Sequence, residues 1–502
     1  SVKVGDIVLV RPGDRVPTDG QITEGRTFID QAMLTGEPMP INAGPGDIVA
    51  GGTINGEGAF QMRATRIGAD TVLAQIIRMV EDAQAGKLPI EALADRVIRV
   101  FVPVILGLAA LSVLAWLAFG PPGATGYALV AGVAVLIIAC PCAMGLATPM
   151  SIMVSTGRAA ELGILFRRGA ALQHLSEVSL VAFDKTGTLT AGTPEVVDIR
   201  VAPGFDADSL LAQTAAAEAQ SEHPIARAIE AAAKTRGLTL PPIRNLRAHP
   251  GKGIEARCGG QTLLVGTASF LTENHVSLSE MTPAVEEADA TGQTPVFVAR
   301  DGCLAAVLFL ADPLKPEAHE AVSALHKAGV QTALVSGDTE PAARHIATQL
   351  GITHVFAEVL PGDKARTVKD LQSTFGTVAF VGDGINDAPA LASADVGLAM
   401  GTGTDVAIEA ADIVLTSGDP VGAFRAYHVS RVTMRNIRQN LFWAFAYNSA
   451  LIPIAAGILY PVTGTLLSPM LAAAAMALSS LCVVSNALRL RYVTPPPLTR
   501  SV

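Results

Sequence analysis

Two stretches of the chain, Val100–Gly157 and Gln439–Leu488, contain no aspartate, glutamate, lysine or arginine. A helix crosses the roughly 30 Å apolar core of a bilayer with about 20 residues, so each stretch is too long for one span and long enough for two. Turn-forming residues divide both where a hairpin needs it, at Gly120-Pro121-Pro122-Gly123 and at Tyr460-Pro461-Val462-Thr463-Gly464. Spans are expected near 98–119, 127–150, 438–459 and 467–488. Arg96, Arg99, Arg158, Arg167 and Arg168 flank the first hairpin, and Arg431, Arg435, Arg438, Arg489 and Arg491 the second. Neither connecting turn has a basic residue, so the positive-inside rule puts all four flanks in the cytosol. A large soluble core is the poorer alternative, since such cores seldom run this far without a charge.

A chain of 502 residues has room for several domains. Hydrophobic residues make up 50% and charged ones 16%, which leans towards a membrane protein and makes a lipid bilayer the expected partner. The net charge of −9, with no basic tract interleaved with aromatics, argues against a nucleic-acid partner. Five scattered cysteines (Cys140, Cys142, Cys258, Cys303, Cys482) do not make a secreted disulfide framework; their thiols are expected to be reduced and to face a cytosol. The opening Ser1-Val2-Lys3-Val4-Gly5-Asp6 has no basic-then-apolar leader and reads as a chain cut at its N-terminus.

Residues 1–90 are punctuated by Gly and Pro and hold short β-branched runs such as Ile7-Val8-Leu9-Val10 and Asp47-Ile48-Val49-Ala50, a small β-rich unit. Residues 158–438 alternate apolar strands with Ala-rich helical segments, the pattern of an α/β domain with a parallel sheet. Within them 195–308 reads as an insert, with helices over 207–235 and strands near 254–265 and 295–309.

Three strands of the α/β part end on polar chemistry. Ser179-Leu180-Val181-Ala182-Phe183 runs into Asp184, Thr332-Ala333-Leu334-Val335 into Ser336-Gly337-Asp338, and Val378-Ala379-Phe380-Val381 into Gly382-Asp383-Gly384. Ligand sites of open parallel sheets lie outside such carboxyl ends. Phosphoryl transfer needs a nucleophile, a Mg²⁺ ligand and a cation; Asp184, Asp383 and Lys364 supply these.

These residues resemble the P-type ATPases. Asp184-Lys185-Thr186-Gly187-Thr188-Leu189-Thr190 matches their phosphorylation motif, Gly382-Asp383-Gly384-Ile385-Asn386-Asp387 their Mg²⁺-binding hinge and Thr35-Gly36-Glu37 their actuator loop, in the right order over essentially the whole chain. The resemblance implies a multidomain α/β protein with an α-helical membrane part. Its pieces are a β-rich actuator domain (1–75), a linker and first hairpin (76–157), and a HAD-like Rossmann phosphorylation domain (158–194 and 309–430). An inserted α+β nucleotide domain (195–308), a second hairpin (431–490) and a tail (491–502) complete it, with four transmembrane helices in all. It makes Asp184, Lys185, Thr186, Ser336, Asp338 and Lys364 catalytic, with Asp184, Thr186 and Asp383 around Mg²⁺. Related phosphatases carry a general-acid aspartate where this chain has Thr186; the resemblance assigns help with hydrolysis to Glu37, which positions water. Ser221-Glu222-His223-Pro224 matches the His-Pro element of the heavy-metal members, and Glu218, His223, Gly251 and Gly253 fall on positions that contact ATP. Where the family often has asparagine after a glycine, this chain has Gly266-Thr267, and a second pair, His249-Pro250, reads as a loop.

Cys140-Pro141-Cys142 sits mid-span. Residues two apart on a regular helix point to different sides, but proline removes a backbone donor and disturbs the turn, so both sulfurs can reach one point. Two thiolates suit Cu⁺ first and Zn²⁺ next. Zinc and cadmium exporters of the family carry an intramembrane Lys and Asp; the second hairpin here has neither, offering instead Tyr447-Asn448 and Met476-Ala477-Leu478-Ser479-Ser480, as in the copper-exporting subgroup. Met476 is the expected third copper ligand, and Asp95 matches a position that receives incoming copper, from a cytosolic copper donor. The segment Val154–Arg168 is expected as one helix coupling the metal span to the phosphorylation domain. The expected function is ATP-driven export of Cu⁺ (or Ag⁺) through an aspartyl-phosphate. The rivals are a Zn²⁺/Cd²⁺ exporter, a membrane-tethered HAD-type phosphatase and a non-enzymatic metal-binding membrane protein. The family has further spans and a metal-binding module ahead of its actuator domain, so this stretch alone is not expected to complete transport.

Overall fold

The computed structural model describes residues 2–30, 41–56, 58–71, 74, 89–121, 123–140, 142–219, 221, 223–249, 252–403 and 405–495. They fall into two compact units, one of Ser1–Val178, Ala411–Ser417 and Gly422–Pro497, the other of Ser179–Ala410, Gly418–Val421 and Leu498–Val502.

In the first unit, Ile7–Val10, Phe60–Arg66, Asp19–Glu24 and Ile48–Val49 lie side by side in one sheet, and Ile41–Ala43, Thr27–Asp30 and Ile54–Asn55 form another. Phe60, Met62 and Ala64 are buried while Gln61 and Arg63 are exposed, the two-residue period of a strand with one dry face. Phe60 and Met62 make a small core with Val10, Val16, Ile22, Ile29 and Val49.

The rest of this unit is mainly helical: α1 (Pro89–Phe119), α2 (Thr125–Ile138), α3 (Cys142–Glu161), α4 (Val421–Ala456) and α5 (Pro469–Leu488). Three stretches among the described residues, Pro89–Phe119, Thr125–Glu161 and Pro469–Tyr492, are long and apolar enough to cross a membrane. The fourth expected span falls on the second half of α4, where Gln439, Asn440, Tyr447 and Asn448 make the helix less apolar than the other three. The second expected span is two helices, interrupted between Ile138 and Cys142. The expected continuous helix over Val154–Arg168 is also corrected. α3 stops at Glu161, Gly163 turns the chain at φ +74°, and Ile164–Phe166 forms a strand antiparallel to Ile413–Leu415. A left-handed glycine ends a helix, and the β-favouring Ile-Leu-Phe run then pairs. At the far end of the hairpins Trp116 Nε1 donates to Ala456 O (3.0 Å), and its ring packs on Tyr127 and Tyr460, a cluster of the kind found at membrane interfaces.

The second unit holds five parallel strands, β1 (Leu180–Asp184), β2 (Gln331–Val335), β3 (His354–Phe356), β4 (Val378–Gly382) and β5 (Val396–Met400), in the order β3-β2-β1-β4-β5. β1, β4 and β5 are buried along their whole length, as central strands covered on both faces must be. Between β1 and β2 the chain departs after Thr190 and returns at Leu314, the two residues bridged. The excursion is a six-stranded antiparallel sheet from Glu195–Val201 to Cys303–Ala311, with helices Ala207–Glu218 and Pro224–Thr235 closing its core. Its edge strand Ile243–His249 corrects the loop expected at His249. That strand is half-buried at Ile243 and exposed thereafter, so it lacks the apolar alternation that marks a strand in sequence.

Candidate phosphorylation and metal sites

The three strand tips come together as the topology requires. β1 lies between β2 and β4, with Val335 in register with Asp184 and Val381 with Phe183. Lys364, at the start of helix Lys364–Phe375, reaches across: its Nζ donates to Asp184 Oδ1 at 2.5 Å and to Asp387 Oδ1 at 2.6 Å. All three side chains are buried, so the ion pairs operate in a poorly solvated medium where Coulomb terms are large. Asp184, Asp383 and Asp387 each offer an oxygen within 4.8 Å of the others.

Three carboxylates against one ammonium leave an excess of negative charge. Burial, then the neighbouring Asp387, pushes Asp184 up to about 7 despite the Lys364 bond. Burial and Asp387 also raise Asp383. For Lys364 burial would lower the ammonium, but Asp184 and Asp387 together hold it above its ordinary value. Clustered carboxylate oxygens short of positive charge fit a hard divalent cation such as Mg²⁺.

The loop after β1 is shaped around this cluster. Gly187 has φ +72°, and a Cβ there would collide with the Asp383 carboxylate. Thr186 is exposed, and the third carboxylate of the acidic cluster is Asp387. Lys185 pairs with Asp338 at 2.5 Å, and the Asp338 N–H donates to the buried Ser336 hydroxyl at 3.1 Å. Glu37 lies outside the described residues.

Sequence reasoning missed three contributors. Asp387 Oδ2 accepts from the N–H groups of Asp383 and Gly384 (3.2 and 3.1 Å) and so fixes the loop carrying Asp383; its signal lay within the 382–387 motif. Lys315 donates to Gly187 O (2.6 Å) and Gly418 O (3.0 Å), and burial lowers its pKa. Asp312 accepts from Thr190 Oγ1 (2.5 Å) and Gly192 N–H (2.8 Å). Neither stands in a run that announces such contacts.

In the antiparallel part, a cleft of about 560 Å³ is lined by Glu218, His223, His249, Lys252, Gly253 and Thr267, among others. His223 Nδ1 accepts from Ile225 N–H at the start of helix Pro224–Thr235, which leaves Nε2 to carry the ring proton. Burial raises Glu218. A Cβ on Gly253 would strike the backbone of Val265 and Gly266. Gly251 lies outside the described residues.

In the helical part Cys140 and Cys142 flank the break between α2 and α3, with Cα atoms 5.3 Å apart and the two sulfurs joined as a disulfide. The convergence matches the expectation, and a soft cation would be bound there by the reduced pair. Asn448 Nδ2 donates to Cys140 O (3.3 Å), while Asn448 Oδ1 is buried without a partner. Met476 is buried on α5, which packs on both α2 and α3. Asp95 is exposed on α1.

Residues 1–81 match the P-type ATPase actuator domain and residues 178–395 the haloacid dehalogenase-like hydrolases. The copper-exporting P-type ATPase of Legionella pneumophila subsp. pneumophila is 48% identical over 98% of this chain and 67% of its own length. The chain belongs to the heavy-metal P-type ATPases. Copper-transporting ATPase 1 of Rhizobium meliloti is 54% identical over 98% of this chain. The chain spans 60% of that relative's length. A crystal structure of a zinc-transporting PIB-type ATPase in its E2·Pi state is 34% identical, with a TM-score of 0.72, covering 98% of this chain and 79% of that one.

Proposed function

We propose that this chain carries the catalytic machinery and part of the transport path of a membrane pump that exports Cu⁺ at the expense of ATP. The observation that carries the reading is the meeting of Cys140 and Cys142 beside Asn448 in a helical layer whose second hairpin, Gln439–Leu488, holds no charge. Once reduced, two thiolates with the Met476 thioether and a neutral amide oxygen make a soft donor set, which suits Cu⁺ first and Zn²⁺ next. The two thiolates would balance a divalent ion by themselves, so the preference for Cu⁺ rests on sulfur softness and on a second hairpin without the Lys and Asp of zinc and cadmium exporters. The family resemblance to a zinc transporter is one of fold, and Zn²⁺ or Cd²⁺ is the weaker reading.

In this proposal Asp184 is the nucleophile that takes the γ-phosphoryl group. Lys364 orients Asp184 and spreads its charge, Lys185 and Asp338 brace the loop, and Ser336 and the loop N–H groups face the transferred oxygens. Mg²⁺, when bound, neutralises charge on the transferring phosphoryl group; Asp184 and Asp383 would hold it. Glu218, His223 and Gly253 line the cleft for the ATP base, with Gly251 beside them in sequence. Glu37 directs the water that cleaves the acyl phosphate. The catalytic domains lie in the cytosol, and a cytosolic donor delivers copper near Asp95. ATP turnover of the full-length protein, compared across Cu⁺, Ag⁺, Zn²⁺ and Cd²⁺ with a Cys140→Ser control, tests the reading. Stimulation by Zn²⁺ alone, or a Cys140→Ser protein as active as wild type, would reverse it.

A further inference from the structure

The same three helices that carry the soft donors carry a second polar layer. Ser151 on α3, Asn436 and Asn440 on α4 and Asn486 on α5 form one hydrogen-bonded group, the first three buried. Counted along each helix from Cys142, Asn448 and Met476, this layer lies roughly 12–18 Å away at 1.5 Å per residue. The offset runs in one direction, towards the flanking arginines. Between the layers is a dry packing of Ala143, Met144 and Ala147 with Ala444 and Val483. Buried polar side chains are costly unless they find partners.

The bonds are not equally distributed. α4 and α5 are tied twice, by Asn436 Nδ2 to Asn486 O (2.9 Å) and Asn486 Nδ2 to Asn440 Oδ1 (2.8 Å). Within this polar layer, among the described residues, α3 joins the pair through Ser151. Its hydroxyl lies 2.7 Å from Ala147 O on its own helix and 2.9 Å from Asn436 Oδ1 across the interface, with Asn440 Nδ2 at a longer 3.4 Å. A hydroxyl has one proton, so it can serve one acceptor fully. Given to Asn436, it ties the cysteine-bearing helix to the α4/α5 pair; given to Ala147, the usual back-bond of a helical serine, it releases that helix. Release strands nothing, because Asn436 Oδ1 still accepts from Asn440 Nδ2 at 3.1 Å.

We propose that Ser151, Asn436, Asn440 and Asn486 are an inner lock: a fixed α4/α5 pair to which α3 is fastened by a single switchable hydroxyl, closing the route between the sulfur ligands and the cytosolic flank. The four are positioning residues that never touch the cargo. Interhelical hydrogen bonds in membranes are of modest strength, so the fastening can open within each cycle. The lock rests on the pump reading but not on which ion is pumped.

The test uses the full-length protein in sealed vesicles, with whichever ion of Cu⁺ and Zn²⁺ stimulates wild-type turnover as the probe. Ions transported per ATP hydrolysed should fall roughly five-fold in Ser151→Ala, the shift expected from losing one such bond. Phosphoenzyme at saturating ion should change less than about two-fold, and Ser151→Thr, which keeps the hydroxyl, should restore the ratio. Asn436→Leu, which removes the acceptor and one of the two α4/α5 bonds but keeps Ser151, should lower the ratio at least as far as Ser151→Ala does. An unchanged ratio in Ser151→Ala, or an equal loss in Ser151→Thr, overturns the lock; parallel loss of phosphoenzyme and transport in both Ser151→Ala and Asn436→Leu marks a structural role and overturns it too. Stimulation by Zn²⁺ and not Cu⁺ sinks the copper reading while the ratio still decides the lock. No stimulation by either ion removes both.

Discussion

The Cα of Gly187 faces the Asp383 carboxylate so closely that a methyl group there would occupy the space of the carboxylate itself. Gly187 is also left-handed at φ +72°, a region side chains other than glycine's avoid. Both demands come from the loop having to pass under the residue proposed to hold Mg²⁺. Gly187→Ala is therefore expected to fold its β parts yet lose more than about ten-fold in phosphoenzyme formed from ATP, since misplacing reacting groups by about 1 Å has effects of that order or larger. Wild-type phosphoenzyme levels in that variant would refute the packing argument.

Lys364 is buried between two carboxylates that it neutralises in part. Removing one partner of a buried ion group leaves uncompensated charge, at a cost of about 3–5 kcal/mol. Lys364→Met should lower the thermal midpoint of the phosphorylation domain and abolish acid-stable phosphoenzyme. Replacement by Arg, whose planar fork does not reproduce a compact ammonium, should recover only part of either.

Proton and Mg²⁺ compete for the same oxygens. Asp184 is raised to about 7 and Asp383 is raised as well. A raised carboxylate pKa means the folded state prefers the proton, so without cation this pocket loses stability as pH climbs from the ordinary carboxylate range through about 7. Mg²⁺ should thus bind more tightly at pH 8 than at pH 6, release protons as it binds, and raise the melting temperature more at the higher pH. Calorimetric titration in two buffers of different ionisation enthalpy measures the released protons; no release would contradict the assignment.

Cys140 and Cys142 meet closely enough to share one ion, and a soft metal takes them as thiolates. Metal-stimulated turnover should need the reduced pair, and thiol alkylation should abolish it. Turnover independent of reductant would point to ligands other than this pair.

His223 caps helix Pro224–Thr235 through Nδ1 and lines the cleft proposed for the ATP base. His223→Gln should weaken ATP binding several-fold, the effect of losing one or two polar contacts. Phosphorylation of Asp184 by inorganic phosphate, which needs no nucleotide, should persist. Loss of both activities would place His223 in the catalytic step instead.

How much was readable beforehand differs by region. The charge-free stretches, the buried strand ending at Asp184 and the polar tips of β2 and β4 announced themselves, because burial on both faces demands unbroken apolar runs and their ends stand out. The edge strand Ile243–His249 stayed hidden, since it is largely exposed and carries no alternation. So did the turn at Gly163, where a helix end and a short strand both look like apolar chain.

Composition and motif order alone gave the expectation of apolar membrane hairpins, of an aspartate at a strand tip and of a cysteine pair within one of the apolar stretches. These follow from local rules about length, periodicity and turn residues. Only the tertiary structure decided that Asp387 and Lys364 share the Asp184 pocket, that Lys315 and Asp312 clamp the neighbouring loop, and that Ser151 meets Asn436 across a helix interface. Those contacts join residues far apart along the chain, and no local pattern records which distant side chain a fold will bring within hydrogen-bonding distance.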